Sequence, residues 1–347
     1  MRLFPVLPAA LCVAIGMSAM PAPAWADSPV VLDGAEEDTR EAILDLLPDR
    51  DRPTTLFEAE RIAEEAASRA LAWLRSEGYY AATVTPEASE EPPSARLVIA
   101  TGPRFLFEPP EVSYVGDAPD AAASGEVARA LEGVRPGAPA RAADVLEAEA
   151  NIIAALLSSG YADAQAGERR VVVDHASSRV VARYNISPGA VARLGNVRAE
   201  PSDVLRPSFV DRLQNWDDGD RYSPQALIQL RRDLTSTGAV SLATTRLEPA
   251  GADGLSDVVV DIEPARRNAY ELGASYSTTE GAGLIAEWTR RNFTGRADSL
   301  SLEATLAQMQ QGLTAEWTRP HAAGLGHAIT FGAEATRRVR VVAILGP

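Results

Sequence analysis

At Pro264 the sequence changes period, and that change limits what the chain can fold into more than any other feature. Beyond it, apolar residues recur at every second position in five runs. The runs are Tyr270, Leu272, Ala274 and Tyr276; Leu284, Ala286 and Trp288; Leu300, Leu302, Ala304 and Leu306; Leu313, Ala315 and Trp317; and Ile329, Phe331, Ala333 and Ala335. The intervening positions are polar, among them Glu271, Glu287, Glu303, Glu316 and Glu334, with Ile285 the exception. A period of two puts each set on one face of a β-strand. Runs of about ten residues with one apolar and one polar face, joined by turns, are the pattern of transmembrane barrel strands. A half-buried soluble sheet alternates in the same way.

An internal echo favours the membrane pattern. Glu287-Trp288-Thr289-Arg290-Arg291 recurs 29 residues later as Glu316-Trp317-Thr318-Arg319-Pro320, an offset of one up-and-down strand pair. The two strands then run the same way, and Trp288 and Trp317 are expected at one height as an interfacial aromatic girdle, each followed by arginine at the strand end. Glu287, Glu303, Glu316 and Glu334 are expected to face a hydrated lumen.

Before Pro264 the chain repeats with a period near 80 residues, marked by glycines that stop helices at Gly78, Gly160 and Gly238. Each repeat has a short strand, a short helix, a long amphipathic helix and two β-branched runs, so the unit is β-α-α-β-β. The best-marked helix spans Leu56 to Glu77, with Thr55 as N-cap, Glu58 closing a capping box, and Ile62, Ala66, Ala70, Trp73 and Leu74 along one face. The fold class is therefore α+β, three β-α-α-β-β modules (27–104, 105–186 and 187–264) followed by antiparallel transmembrane barrel strands (265–338) that make an incomplete barrel. Three small separate cores are expected in the modules. Residues 27–264 carry 23 arginines against 41 acidic residues, a net of −18, whereas 265–347 carry 9 against 7, a net of +2. Such acidic modules would be repelled by phosphate backbones, so nucleic acid is excluded as a partner.

Residues 1–26 combine Arg2, an apolar run from Val6 to Met20 and the Ala24-Trp25-Ala26 triplet, the pattern of a secretory leader cleaved before Asp27. The one cysteine, Cys12, falls inside that leader, which excludes an intramolecular disulfide and a cysteine zinc site. No lysine occurs, so a P-loop and a Schiff-base lysine are excluded. His175, His321 and His327 are not at metal-ligand spacing, and no nucleophile-elbow or zinc-protease motif occurs. An enzyme is not expected, and neither is a cofactor or a metal.

Three such modules followed by Tyr270-Glu271-Leu272-Gly273-Ala274-Ser275-Tyr276-Ser277-Thr278, Glu287-Trp288-Thr289-Arg290-Arg291-Asn292-Phe293 and Gly295-Arg296 resemble the TamA-like outer-membrane assembly factors of the BamA superfamily, whose modules are POTRA domains. The resemblance covers the chain from Asp27 to about Arg338 and is most specific from the third module into the first two strands. It implies a site in the outer membrane with the POTRA modules in the periplasm, and no catalysis. The partners it implies are unfolded outer-membrane client proteins, an inner-membrane-anchored periplasm-spanning protein of the TamB type, and outer-membrane lipid. It also implies that Tyr270, Leu272, Ala274 and Tyr276 lie on the first strand of a lateral gate. The sequence departs from the family in holding about five strands, with neither the closing strand nor the inward-folded loop. The tail 339–347 breaks the alternation as a truncated end would, and five strands are not expected to close a barrel alone. Two further readings remain: a periplasmic POTRA scaffold that adds extended chains to an open sheet edge, and a two-partner-type secretion pore, which expects two modules.

Overall fold

The computed structural model describes residues 30–277, 281–308 and 310–338. Ala24, Ala26 and Asp27 of the leader site and the tail 339–347 lie outside the described residues. Contacts divide the chain into two compact units. One holds the residues up to Glu108 with Pro136–Val145 and Val172–Val181; the other holds Pro109–Arg135, Leu146–Val171 and everything from Ala182.

The first unit contains the first β-α-α-β-β copy: β1 (Val30–Asp33), α1 (Glu37–Leu46), α2 (Leu56–Ser76), β2 (Thr83–Glu90) and β3 (Pro93–Ala100). Helix α2 begins as the sequence predicts, because Thr55 Oγ1 accepts the Glu58 amide at 3.2 Å. The Glu58 carboxylate reaches one residue further back than in the usual box, accepting the Thr54 amide at 3.0 Å. Ile62, Ala66, Ala70 and Leu74 are buried against Leu32, Leu97 and Ile99, whereas Trp73 is only partly covered. Strand β2 has no alternation to announce it, being Thr-Val-Thr-Pro-Glu-Ala-Ser-Glu. It forms because every residue pairs with β3, from Thr83 opposite Ala100 to Glu90 opposite Pro93. As an edge strand it can carry Pro86.

The second copy contains β4 (Leu106–Phe107), β5 (Glu111–Tyr114), α3 (Ala121–Ala130), α4 (Ala142–Ser158), β6 (Gln165–Ala166), β7 (Arg170–Asp174) and β8 (Arg179–Ser187). Its central strand is β8, which pairs in parallel with β4 and β5 and also with β6 and β7. The third copy, wholly in the second unit, is β9 (Leu194–Glu200), α5 (Pro207–Leu213), α6 (Pro224–Ser236), β10 (Val240–Leu247) and β11 (Ser256–Pro264). Helix α5 starts at Pro207, a residue suited to a first turn. Ser223 sits at the N-cap of α6 but makes no cap hydrogen bond. In all three copies the first strand runs parallel to the last.

The second unit ends in a five-stranded antiparallel sheet in chain order: β12 (Asn268–Ser277), β13 (Gly281–Arg291), β14 (Ser299–Ala307), β15 (Gln310–Arg319) and β16 (Ile329–Arg338). Each strand has 9 to 11 residues, the length that crosses a bilayer at a tilt. Among the described residues the sheet is open, with β12 and β16 at its two edges.

Candidate functional site

Two of the three helix-stopping glycines, Gly78 and Gly160, are joints. In the first unit Gly78 has φ +96° and its carbonyl accepts the Phe105 amide at 2.9 Å, where the next copy begins. A Cβ there would lie 3.1 Å from the Ala140 carbonyl oxygen. In the second unit Gly160 repeats the arrangement, with φ +100° and its carbonyl accepting the Ala192 amide at 2.9 Å. A Cβ at Gly160 would meet the Arg221 Cβ at 3.3 Å. Isolated bridges at corresponding places, Leu106 with Pro139 and Arg193 with Arg221, complete each joint.

The second joint is also tied by charge. The Arg221 guanidinium donates to the Asp120 carboxylate at 3.0 Å and to the Ser159 carbonyl at 3.2 Å. Asp120 meanwhile caps α3, accepting the Ala123 amide at 2.9 Å. The Ala123 amide first, and Arg221 second, hold its carboxyl below the usual carboxylate range.

The sheet has the two faces that its alternation requires. Tyr270, Leu272 and Tyr276 of β12 are 75%, 87% and 81% exposed, and Ala274 beside them is exposed too. On the other face Glu271, Glu287 and Glu303 stand directly opposite one another on three neighbouring strands, and the row continues through Thr314 to Glu334. Glu316 belongs to the next row, between Ser301 and Gly332. Carboxylates placed opposite one another repel. Each of the four predicted glutamates accepts a hydrogen bond from the threonine two residues on: Thr289 at 3.1 Å, Thr305 at 3.3 Å, Thr318 at 3.3 Å and Thr336 at 2.7 Å. The Glu-x-Thr motif thus recurs in four successive strands, a signal that lay in the sequence beside the tryptophan echo.

The register bears on the girdle. Trp288 stands opposite Tyr270 and Leu302, and the row through it reaches β15 at Ala315, so Trp317 lies two residues nearer the strand end. Two residues are about 6.6 Å along a strand, and two strand spacings are about 9.6 Å across. The tryptophans are therefore level only if the strands tilt by about 35°, which is the low end of the tilt of membrane barrels.

At that end of the sheet two turns rest on the third copy. Asn292 donates to the Val204 carbonyl at 2.6 Å, and the Gly295 carbonyl accepts the Arg206 amide at 2.8 Å. Ala297 is buried inside the third copy's core cluster, so that core is not separate from the strands that follow, contrary to the sequence pattern. Asp298 is fully buried and accepts from the Thr294 amide at 2.7 Å, the Thr294 hydroxyl at 2.9 Å and the Trp317 indole at 2.8 Å. Burial pushes its carboxyl up, but these donors outweigh burial and hold it below the usual range. In the second turn the His321 ring packs edge-on against Phe209 of α5, and its carbonyl accepts from Arg212 at 3.2 Å.

The remaining polar groups belong to turns and surfaces. Asp174 accepts the Ala176 amide and the Ser177 hydroxyl, which makes Asp174-His175 a turn. A groove of about 800 Å³ on the third copy is lined by Arg198, Glu200 and Asp261, whose charges are engaged with one another and with Arg246 and Glu248. Among the described residues no group of three or more His, Cys, Asp or Glu side chains could hold a metal ion, and no helix is long and apolar enough to cross a membrane.

No protein-family model matches the chain. Among solved structures it is similar to BamA from Haemophilus ducreyi lacking POTRA domains 1–3, with a TM-score of 0.58 and 19% identity over 68% of this chain. It spans 43% of that BamA chain. It is also matched by POTRA domains 3–5 of BamA from Haemophilus influenzae, with a TM-score of 0.39, 18% identity and coverage of 67% of this chain and 94% of that one. CdiB from Escherichia coli matches with a TM-score of 0.38 and 15% identity over 87% of this chain and 51% of that one. The first likeness establishes the fold: POTRA-type modules followed by antiparallel strands of the BamA-barrel type.

Proposed function

We propose that the chain is an outer-membrane assembly factor of the BamA superfamily, TamA-like in its three modules, whose POTRA domains guide unfolded client proteins through the periplasm to a barrel in the outer membrane. One observation carries this: the five-stranded sheet that resembles the start of the BamA barrel turns large apolar side chains outward, Leu272 at 87% exposure among them. In water that face would aggregate, and in lipid it is solvated. In this reading β12 is the first gate strand, Trp288 and Trp317 form the girdle, and Glu287, Glu303, Glu316 and Glu334 face the hydrated lumen. The end of the sheet resting on α5 is then the periplasmic end. Periplasmic turns of barrels are usually the short ones; here 292–298 and 320–328 are long because they dock on the third module. A TamB-type partner from the inner membrane would meet the modules.

The test is a lipid-vesicle assay in which a urea-unfolded outer-membrane barrel protein is diluted onto vesicles with or without this protein. Faster acquisition of protease resistance by the client supports the reading. An unchanged rate would sink it.

The scaffold reading is favoured by a different observation. Strand β7 exposes Val171 and Val172 beside an open edge, whereas the edge strand β2 is guarded by Pro86, Glu87 and Glu90. Binding of an extended apolar peptide that is lost in V172P, with no binding to vesicles, would favour the scaffold over the membrane factor.

A further inference from the structure

We propose that Arg290 and Arg319 bind the anionic headgroups of phospholipids at the end of the sheet nearest α5, fixing the depth of the strands in the leaflet on that side. The inference rests on the membrane reading above and adds to it the chemistry of the lipid and the residues that recognise it.

The first support is placement. Trp288-Thr289-Arg290 and Trp317-Thr318-Arg319 put each arginine two residues beyond a tryptophan, hence on the same outward face and one step nearer the strand end. If the strands tilt so that the tryptophans are level, the arginines are level too. Tryptophan at the boundary followed by arginine just beyond it reproduces the order of a bilayer interface, acyl chain and then phosphate. The Arg290 guanidinium lies 5.4 Å over the Phe293 ring, and Phe293 is itself largely exposed.

The second support is what these arginines lack. Several module arginines meet carboxylates, Arg169 with Glu149 at 2.7 Å and Arg246 within ion-pair distance of Glu200, Glu248 and Asp261, while others, such as Arg231 and Arg232, do not. Among the described residues no arginine after Pro264, Arg290 and Arg319 included, has a carboxylate within that distance. The one acid in the adjoining turn, Asp298, is buried with its oxygens taken by Thr294 and Trp317. Arg319 Nε is shielded from solvent yet has no hydrogen-bond partner, a donor left without an acceptor. A guanidinium fork matches a phosphate bidentately, and a diester phosphate at the membrane surface would complete both sites.

The third support is the charge of the whole chain. An acidic module array is repelled by an anionic surface, but beyond a screening length of about 8 Å that repulsion fades. Attraction at the arginine end therefore acts locally.

The experiment dilutes the full chain from urea onto phosphatidylcholine vesicles with or without phosphatidylglycerol and measures the bound fraction by flotation. The wild-type chain is expected to prefer the phosphatidylglycerol vesicles, and raised salt should reduce that preference. R290Q/R319Q should lose roughly fivefold per arginine, about twenty-five-fold for the pair, on those vesicles alone. R290K/R319K keeps the charges and loses the fork, so it should bind the phosphatidylglycerol vesicles between wild type and R290Q/R319Q, which shows that a variant at these positions still folds and binds. R337Q/R338Q, at the other end of the sheet, should behave as wild type. Equal binding of wild type and R290Q/R319Q to phosphatidylglycerol vesicles overturns the inference while leaving the membrane reading intact. Binding of the wild type to neither vesicle overturns both.

Discussion

The third module and the sheet that follows it obey the same strand rule and put it to opposite uses. In β9 and β11 the apolar positions point inward, and Leu194, Val258 and Val260 are fully covered by α5 and α6. In β12 and β13 the apolar positions point away from the protein, and Leu272 and Leu284 are 87% and 63% exposed. The charged partners differ as well: Arg198 and Arg246 on the module surface meet carboxylates, whereas Arg290 and Arg319 at the sheet end meet none. Alternation therefore fixes which residues share a face, but not which solvent that face meets. The solvent is indicated by what accompanies the alternation: helices to cover it in one region, and tryptophan followed by arginine at the strand end in the other.

The largest expected effect tests burial in the modules against exposure in the sheet. Leu97 is fully buried beneath α2, so Leu97→Ala should cost about 2–5 kcal/mol, read as a lower urea midpoint in the fluorescence of Trp73. Leu272→Ala, in aqueous buffer, should leave that midpoint within about 0.5 kcal/mol of wild type. Equal shifts would break the comparison. Leu272→Arg sharpens it from the lipid side. At mid-strand in a bilayer the charge should cost about 2–4 kcal/mol of folding into vesicles, while having next to no effect on the modules in water. If insertion is insensitive to this substitution, the outward face of β12 does not meet lipid.

A smaller effect is expected where the two regions meet. Asp298→Ala strips the Trp317 indole and the Thr294 amide of their shared acceptor in a site closed to water. Leaving buried donors unsatisfied should cost about 1–3 kcal/mol, with a change in the tryptophan emission that W317F removes. An unperturbed spectrum would mean that the turn does not hold Trp317.

Much of this architecture was legible in the sequence, and the misses share one cause. The module pattern, the glycine stops and the five alternating runs are local signals of period and punctuation, and the elements lie within a few residues of them. Strand β2 was not legible because its residues satisfy no period; its hydrogen bonds come from β3. The docking of Asn292 on Val204 and the burial of Ala297 in a module core depend on residues far apart in the chain, and no short-range pattern encodes them. The joint at Gly160 was half legible. The glycine announced the end of a helix, but not that its carbonyl receives Ala192. The Glu-x-Thr motif is a local signal too, repeated in four strands, and tryptophan occupies its middle position in two of them.

The smallest expected effect separates the two joints. The joint at Gly160 contains a carboxylate held below its usual range, so its strength should depend on acid in a defined way. An unfolded aspartate titrates near pH 3.9, and Asp120 in the fold titrates lower. A depressed carboxyl contributes stability that is complete above about pH 4 and is lost as pH falls through the folded value, because protonation then costs more in the native state. The stability difference between wild type and D120N should accordingly be flat from neutral pH down to about pH 5 and shrink below it. The Ala123 amide is the larger cause of the shift and Arg221 the lesser, so R221Q should keep most of this acid dependence and D120N should abolish it. Urea titrations of the three proteins at a series of acidic pH values measure the difference. If R221Q and D120N flatten the curve equally, the ion pair rather than the helix cap is what holds Asp120 low, and the second joint is an electrostatic clasp first and a helix terminus second.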